Sequence, residues 1–285
     1  MFTFKGSTKG VIKPIARVNG GELHGKILYV GRKDKDAEFD GEKMFDNIEL
    51  DDGKFEWIPE TRENFNDVVL TSATKGSGKS TMLGEMALRM KKIFNLGDDD
   101  VILCRKNKVD DPAYAKLNPA IVAIDEDFLA NPLTCDEISP DHKTKVVILD
   151  DLDTIQSKKL EQAYLKFQND LLECGRKYNI YVLIACHKLC AGIKTKTMLS
   201  ETDYFLFFPE GVSSDFRYCL QRYGDMSLDV IRDLKNCDSR WILFHQHSPK
   251  FILTEKMARI FDLDREDQIS KEKKKTRLLK RVVLS

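Results

Sequence analysis

From Asp67 onward, short apolar runs alternate with stretches in which apolar residues return every three or four positions. The runs are Val68–Thr71, Val101–Cys104, Val146–Leu149, Tyr181–Ala185 and Tyr204–Phe208. They are too short for helices and carry almost no polar interruption, which fits strands covered on both faces. The first intervening segment places Met82, Met86, Leu88 and Met90 at helical spacing, and a later one does so with Leu160, Ala163, Tyr164, Phe167 and Leu171. This alternation predicts an α/β fold with a mostly parallel sheet flanked by helices. Another apolar run, Ile121–Ile124, lies between the second and third of these strands. Trp241–His245 and Phe251–Leu253, separated by a polar segment with Pro249, predict an antiparallel hairpin at the C-terminal edge.

The first part of the chain has a different pattern. Short β-like runs such as Lys26–Val30 and Phe55–Ile58 are separated by turn signals at Gly20-Gly21 and Asp51-Asp52-Gly53. The expected organisation is a small β-rich N-terminal module over residues 1–65, an α/β core over 66–255, and a helical, basic tail over 256–285. Within it, the stretch from Lys271 to Arg281 holds Lys271, Lys273, Lys274, Lys275, Arg277, Lys280 and Arg281 against the single acid Glu272. No internal repeat is visible.

Composition adds limits. With 285 residues, 42% of them hydrophobic, the chain can bury a substantial core. Lys plus Arg and Asp plus Glu each number 46, so the overall charge gives no reason to expect a polyanionic partner, and any attraction to phosphate must come from local patches. The start has no apolar leader, and no run approaches the roughly 18 apolar residues of a membrane helix. Seven scattered cysteines, an odd number, read as reduced thiols. A soluble intracellular protein with no membrane partner is expected.

The chemistry begins after the first core strand. Ala73-Thr74-Lys75-Gly76-Ser77-Gly78-Lys79-Ser80 follows the relaxed phosphate-loop pattern A/G-x-x-x-x-G-K-S/T, with a strand running in and a helix running out. Gly76 and Gly78 let the backbone wrap so that its N–H groups point inward, and the helix N-terminus adds positive potential where phosphates would sit. Thr74 through Thr81 are therefore the candidate nucleotide-binding residues. Lys79 would bridge the β- and γ-phosphates of ATP, and Ser80 would hold Mg²⁺.

A second acidic site follows the strand Val146–Leu149, which ends in Asp150 and Asp151. Asp150 is the candidate carboxylate for the Mg²⁺ shell. Asp151 is the candidate for polarising an attacking water, with a helix N-cap as its alternative role. Asn107-Lys108-Val109-Asp110 spells a guanine-reading motif but precedes the acidic strand, the wrong order for a GTPase, and no LSGGQ-like stretch of transport ATPases is present. Cys186, His187 and Cys190 offer too few soft ligands for structural zinc.

Four segments, in order, carry a resemblance: Ala73–Ser80, Ile148-Leu149-Asp150-Asp151-Leu152, Gly175-Arg176-Lys177-Tyr178-Asn179-Ile180, and the strand end at His187. Over roughly Asp67 to Leu253 the chain resembles the poxvirus-type genome-packaging ATPases of large DNA viruses and virophages, within the FtsK/HerA superfamily of P-loop ATPases. The resemblance implies a P-loop NTPase fold of the ASCE type (additional strand, catalytic acid), ATP and Mg²⁺ as cofactors, and a homo-oligomeric ring that drives double-stranded DNA into a capsid. A capsid or portal protein would be a further partner. It also implies that His187 takes the γ-phosphate sensor position, where relatives usually carry Gln, unless it is a plain strand-end residue. Arg176 resembles the arginine that reaches a neighbouring subunit's nucleotide; its alternatives are pairing with Glu173, or Lys75 acting in cis instead. Lys188, Lys194, Lys196 and the basic tail are candidate DNA contacts. A cellular or plasmid DNA translocase and a nucleotide-switched scaffold with little turnover are the competing functions.

Overall fold

The computed structural model describes residues 1–6, 12–31, 45–62, 65–74, 76–106, 111–189, 192–209 and 214–261. Its first strands are β1 (Phe2–Thr3), β2 (Ile12–Asn19), β3 (Ile27–Gly31), β4 (Asn47–Glu49) and β5 (Lys54–Trp57). Four of them form an antiparallel sheet in the order β1-β3-β2-β5. The chain then enters β6 (Val68–Ser72), α1 (Lys79–Ile93), β7 (Val101–Arg105), β8 (Ala120–Ala123), the short helices α2 (Glu126–Ala130) and α3 (Cys135–Ile138), and β9 (Lys145–Asp150). Next come α4 (Lys158–Cys174), β10 (Ile180–Cys186), α5 (Lys196–Glu201), β11 (Tyr204–Phe207), α6 (Ser214–Arg222) and α7 (Leu228–Lys235). The last strands are β12 (Ile242–His245), β13 (Phe251–Thr254) and β14 (Met257–Ile260).

The second sheet has ten strands in the order β4-β14-β13-β12-β11-β6-β10-β9-β7-β8. Six of them, β8 through β11 in that order, are parallel neighbours, each reached through a crossover. The other four complete the sheet in antiparallel pairings. This is the mixed α/β sheet flanked by helices that the hydrophobic alternation predicts, and all five expected core strands are present. The expected hairpin is β12 with β13, and the antiparallel edge continues through β14 and β4.

The near-continuous apolar strands follow from covering both faces, because successive side chains point to opposite sides. On β9, Val147 and Leu149 join Val182, Ile184, Tyr164, Phe167 and Leu171 in the core beneath α4. Val146 and Ile148 join the opposite core, where Met82, Leu83, Met86 and Met90 of α1 meet Ile15, Val18, Phe55 and Trp57 of the N-terminal sheet. α1 puts a helical stripe on that face, and Trp57 packs edge-on against Tyr204 at 5.9 Å between ring centroids. The division at residues 65 and 255 remains a proposal; β4 and β14 are two strands whose pairing runs across it. The described part of 256–285 begins with β14, and the basic cluster from Lys271 lies outside the described residues.

One buried ion pair ties the N-terminal sheet to the start of β6. Lys13 Nζ lies 2.9 Å from Asp67 Oδ1, and the backbone N–H of Glu60 donates to the other Asp67 oxygen at 2.6 Å. Burial pushes the Asp67 carboxyl up to about 6 against the opposing pull of Lys13. Removing one member of such a pair strands the other charge away from water. Lys13→Met is therefore expected to lower unfolding stability by about 3 kcal/mol, measured by denaturant titration. A loss within error of zero would place the pair among solvated contacts.

Candidate nucleotide site

Parallel strands align their C-terminal ends at one edge, where ligands of α/β sheets are bound. Register places Ala185 beside Asp150 and Cys186 beside Ser72, so the ends of β9, β10 and β6 stand side by side. The strand ending at His187 thus lies between the strand that feeds the phosphate loop and the strand that ends in the two acids. The loop turns through left-handed backbone at Gly76 and Gly78, with φ of 82° and 94°. A Cβ there would meet nothing within 4 Å, so glycine is required by conformation rather than by crowding. Ser77 Oγ is buried with no hydrogen-bond partner among the described residues, an orphan that a phosphate oxygen would satisfy. Thr74 and Thr81 are exposed beside the loop, while Lys75 lies outside the described residues.

Lys79 opens α1 with its side chain only 6% exposed. Its Nζ lies 3.0 Å from Asp151 Oδ1, donates to the Cys186 carbonyl at 3.2 Å, and sits 3.4 Å from His187 Nδ1. One residue on, Ser80 Oγ donates to Asp150 Oδ1 at 3.3 Å. A hydroxyl and a carboxylate this close are hard oxygen donors suited to Mg²⁺, which takes few protein ligands and keeps several waters. Burial raises the Asp150 carboxyl above its ordinary value; the Tyr114 hydrogen bond opposes this and the neighbouring Asp151 charge adds to it.

Asp151 adopts left-handed backbone, φ 51°, at the entry to a short 3₁₀ turn, and its side chain makes no capping hydrogen bond. The capping alternative therefore has no contact behind it. Its carboxylate turns to the cluster instead, with Oδ2 3.2 Å from His187 Nε2. A neutral imidazole carrying its proton on Nε2 satisfies both neighbours, donating to Asp151 and accepting from Lys79. Asp153 fixes the backbone beyond: its Oδ2 accepts from the N–H groups of His187 and Lys188 at 2.9 and 3.0 Å. The donor atoms of Asp151, Asp153 and His187 fall within 4.8 Å of one another and form an extension of this one site.

Arg176 is not brought to this cluster. It is exposed in the turn after α4, before β10 begins, and among the described residues no ion pair joins it to Glu173. β10 has seven residues, so about 20 Å of strand separates this turn from the edge holding Lys79. Asn179, in left-handed backbone at φ 58°, donates to Thr144 Oγ1 at 2.7 Å, and Tyr178 stacks on His142 at 5.1 Å. These contacts hold the turn that presents Arg176. Lys188, Lys194 and Lys196, the basic residues after β10, are all exposed, and Lys194 pairs with Glu161 at 2.6 Å.

Two participants escaped sequence reasoning. Tyr114 lies in a segment without periodicity, 36 positions from the Asp150 it contacts. Asp153 could have been suspected from its place two residues after Asp151, but its two amide partners belong to a strand end far along the chain. Among the described residues no helix is long and apolar enough to cross a membrane. Among the described residues, Cys104, Cys135, Cys174, Cys186, Cys219 and Cys237 take part in no disulfide.

No protein-family model matches the chain. It is 29% identical over 254 residues to the uncharacterized protein V3 of Sputnik virophage, covering 87% of this chain and 95% of that protein. Similar solved structures include the genome packaging NTPase B204 of Sulfolobus turreted icosahedral virus 2 with ATPγS, at 13% identity and a TM-score of 0.44, covering 68% of this chain and 97% of that one. Another is the pCW3 conjugation coupling protein TcpA with ATPγS, at 13% identity and a TM-score of 0.46, covering 89% and 79%. The neighbours thus comprise a viral genome-packaging NTPase and a conjugation coupling protein, and the sequence match is to a virophage protein.

Proposed function

We propose that this chain is a Mg²⁺-dependent ATPase of the FtsK/HerA type, working as a homo-oligomeric ring that drives double-stranded DNA into a viral capsid. The observation that carries the reading is the convergence of Lys79, Ser80, Asp150, Asp151 and His187 at one sheet edge, with the His187 strand between the other two. In this reading the loop backbone and Lys79 bind the phosphates, and Ser80 with Asp150 holds Mg²⁺, which would neutralise phosphate charge. Asp151 takes the proton of the attacking water, and His187 orients Asp151 through Nε2. When the triphosphate enters, Lys79 exchanges Asp151 for phosphate oxygens and leaves the carboxylate free to act.

An exposed Arg176 remote from its own site supports a ring, since a forked, permanently charged guanidinium suits the neighbour's phosphoryl transition state. DNA would be held by its phosphates, with Lys188 and Lys196 on the segment after β10 as candidate contacts. The 29% match to a virophage protein supports a viral setting for the motor, and a capsid or portal protein would then be its partner. The test is steady-state ATP hydrolysis with and without linear duplex DNA. Turnover that requires Mg²⁺ and rises several-fold with DNA is expected, and the DNA effect should fall steeply with salt. Turnover near background with and without DNA would favour the nucleotide-switched scaffold, and brisk turnover indifferent to DNA would remove the translocase reading.

A further inference from the structure

Tyr114 has no part in the phosphate-loop and acid motifs, yet its hydroxyl is buried at the acid next to Ser80. The residue is 2% exposed, and its OH donates to Asp150 Oδ1 at 3.0 Å. The same oxygen accepts the Ser80 hydroxyl at 3.3 Å. A carboxylate at a strand end can rotate about two side-chain bonds. A donor that cannot itself move removes that freedom, and Tyr114 is held by packing.

The hold comes from the segment's own turns and from α1. Ala113 N–H donates to the Asp111 carboxylate at 2.9 Å, Leu117 N–H donates to the Tyr114 carbonyl at 2.9 Å, and Lys91 Nζ donates to the Leu117 carbonyl at 2.7 Å. Leu117 is buried in the same core as Met82 and Met86. The segment can lie this close to the helix because residue 84 is glycine: a Cβ there would stand 2.3 Å from the Ala113 carbonyl oxygen, a backbone atom that cannot swing aside. One helix therefore carries Lys79 and Ser80 at its first turn and, a turn later, the notch that seats the tyrosine.

We propose that Tyr114, seated by Gly84, is a positioning residue for Asp150 and sets how tightly the site takes Mg²⁺; this rests on the Mg²⁺–nucleotide reading above. Groups that orient metal-holding side chains typically change metal affinity about 10- to 100-fold when removed. The test uses the full chain and a fluorescent ATP analogue titrated at increasing Mg²⁺, with melting in EDTA as a check on folding. Tyr114→Phe, which removes only the hydroxyl, is expected to raise the half-saturating Mg²⁺ concentration about tenfold, with affinity for the analogue in EDTA and the melting temperature close to wild type. Gly84→Ala should move the Mg²⁺ requirement the same way. A merely packing tyrosine would shift melting without shifting the Mg²⁺ requirement. An unchanged requirement in Tyr114→Phe, or a loss of affinity equal with and without Mg²⁺, overturns the proposal while the nucleotide site stands. A wild-type chain whose binding of the analogue ignores Mg²⁺ overturns both.

Discussion

Mixing inactive Arg176→Ala subunits with inactive Asp151→Asn subunits is expected to restore ATP hydrolysis. Arg176 stands exposed before β10, at the end of the sheet opposite the phosphate loop, so it cannot serve the nucleotide on its own chain without a large rearrangement. If it acts, it acts on a neighbour. In a mixed ring some interfaces pair an intact Arg176 with an intact Asp151, and those interfaces should turn over. Arginines supplied in trans accelerate nucleotide hydrolysis by about 10³–10⁵, so even a few repaired interfaces should rise above background. Arg176→Ala alone should bind nucleotide normally as an isolated subunit. A flat response at every mixing ratio, with mixed oligomers demonstrated, would remove the trans role and turn attention to Lys75.

Asp151→Asn should separate binding from chemistry. The amide is isosteric but takes no proton, so turnover is expected to fall by about 10²–10⁴. Nucleotide affinity should hold or tighten, because Asp151 is the carboxylate paired with Lys79 at 3.0 Å and the amide releases that lysine for phosphate. Lys79→Ala gives the contrasting result, losing affinity and turnover together, since it deletes the cation itself. Fluorescent-nucleotide binding and single-turnover hydrolysis on the same preparations distinguish the two patterns. Equal losses of binding and turnover in Asp151→Asn would make the residue a metal ligand or a structural element.

The N-terminal sheet illustrates the limit of local reading. Its β character was legible from apolar runs between turn signals, but nothing in those runs indicates that Phe55 and Trp57 would share a core with α1, or that Lys13 would meet Asp67 across 54 positions. The same holds at the acids. Asp151 was recognisable by its place after a buried strand, whereas its left-handed backbone and its bridge to His187 arise only when β9 and β10 pair.

What the sequence alone determined are the features carried by neighbouring residues: the five core strands, the helix after the phosphate loop, the glycines at 76 and 78, and the acids that end β9. A strand covered on both faces and a loop that needs left-handed backbone both leave their mark within a few positions. Only the tertiary structure decided the strand order that sets β10 between β6 and β9, the β4–β14 pairing, the seat of Tyr114 against Gly84 and Asp150, and the distance of Arg176 from its own loop. Each of these depends on which distant surfaces bury one another. Hydrophobic periodicity states that a face will be covered but not by what, and a buried hydroxyl or carboxylate finds its partner only after that choice is made.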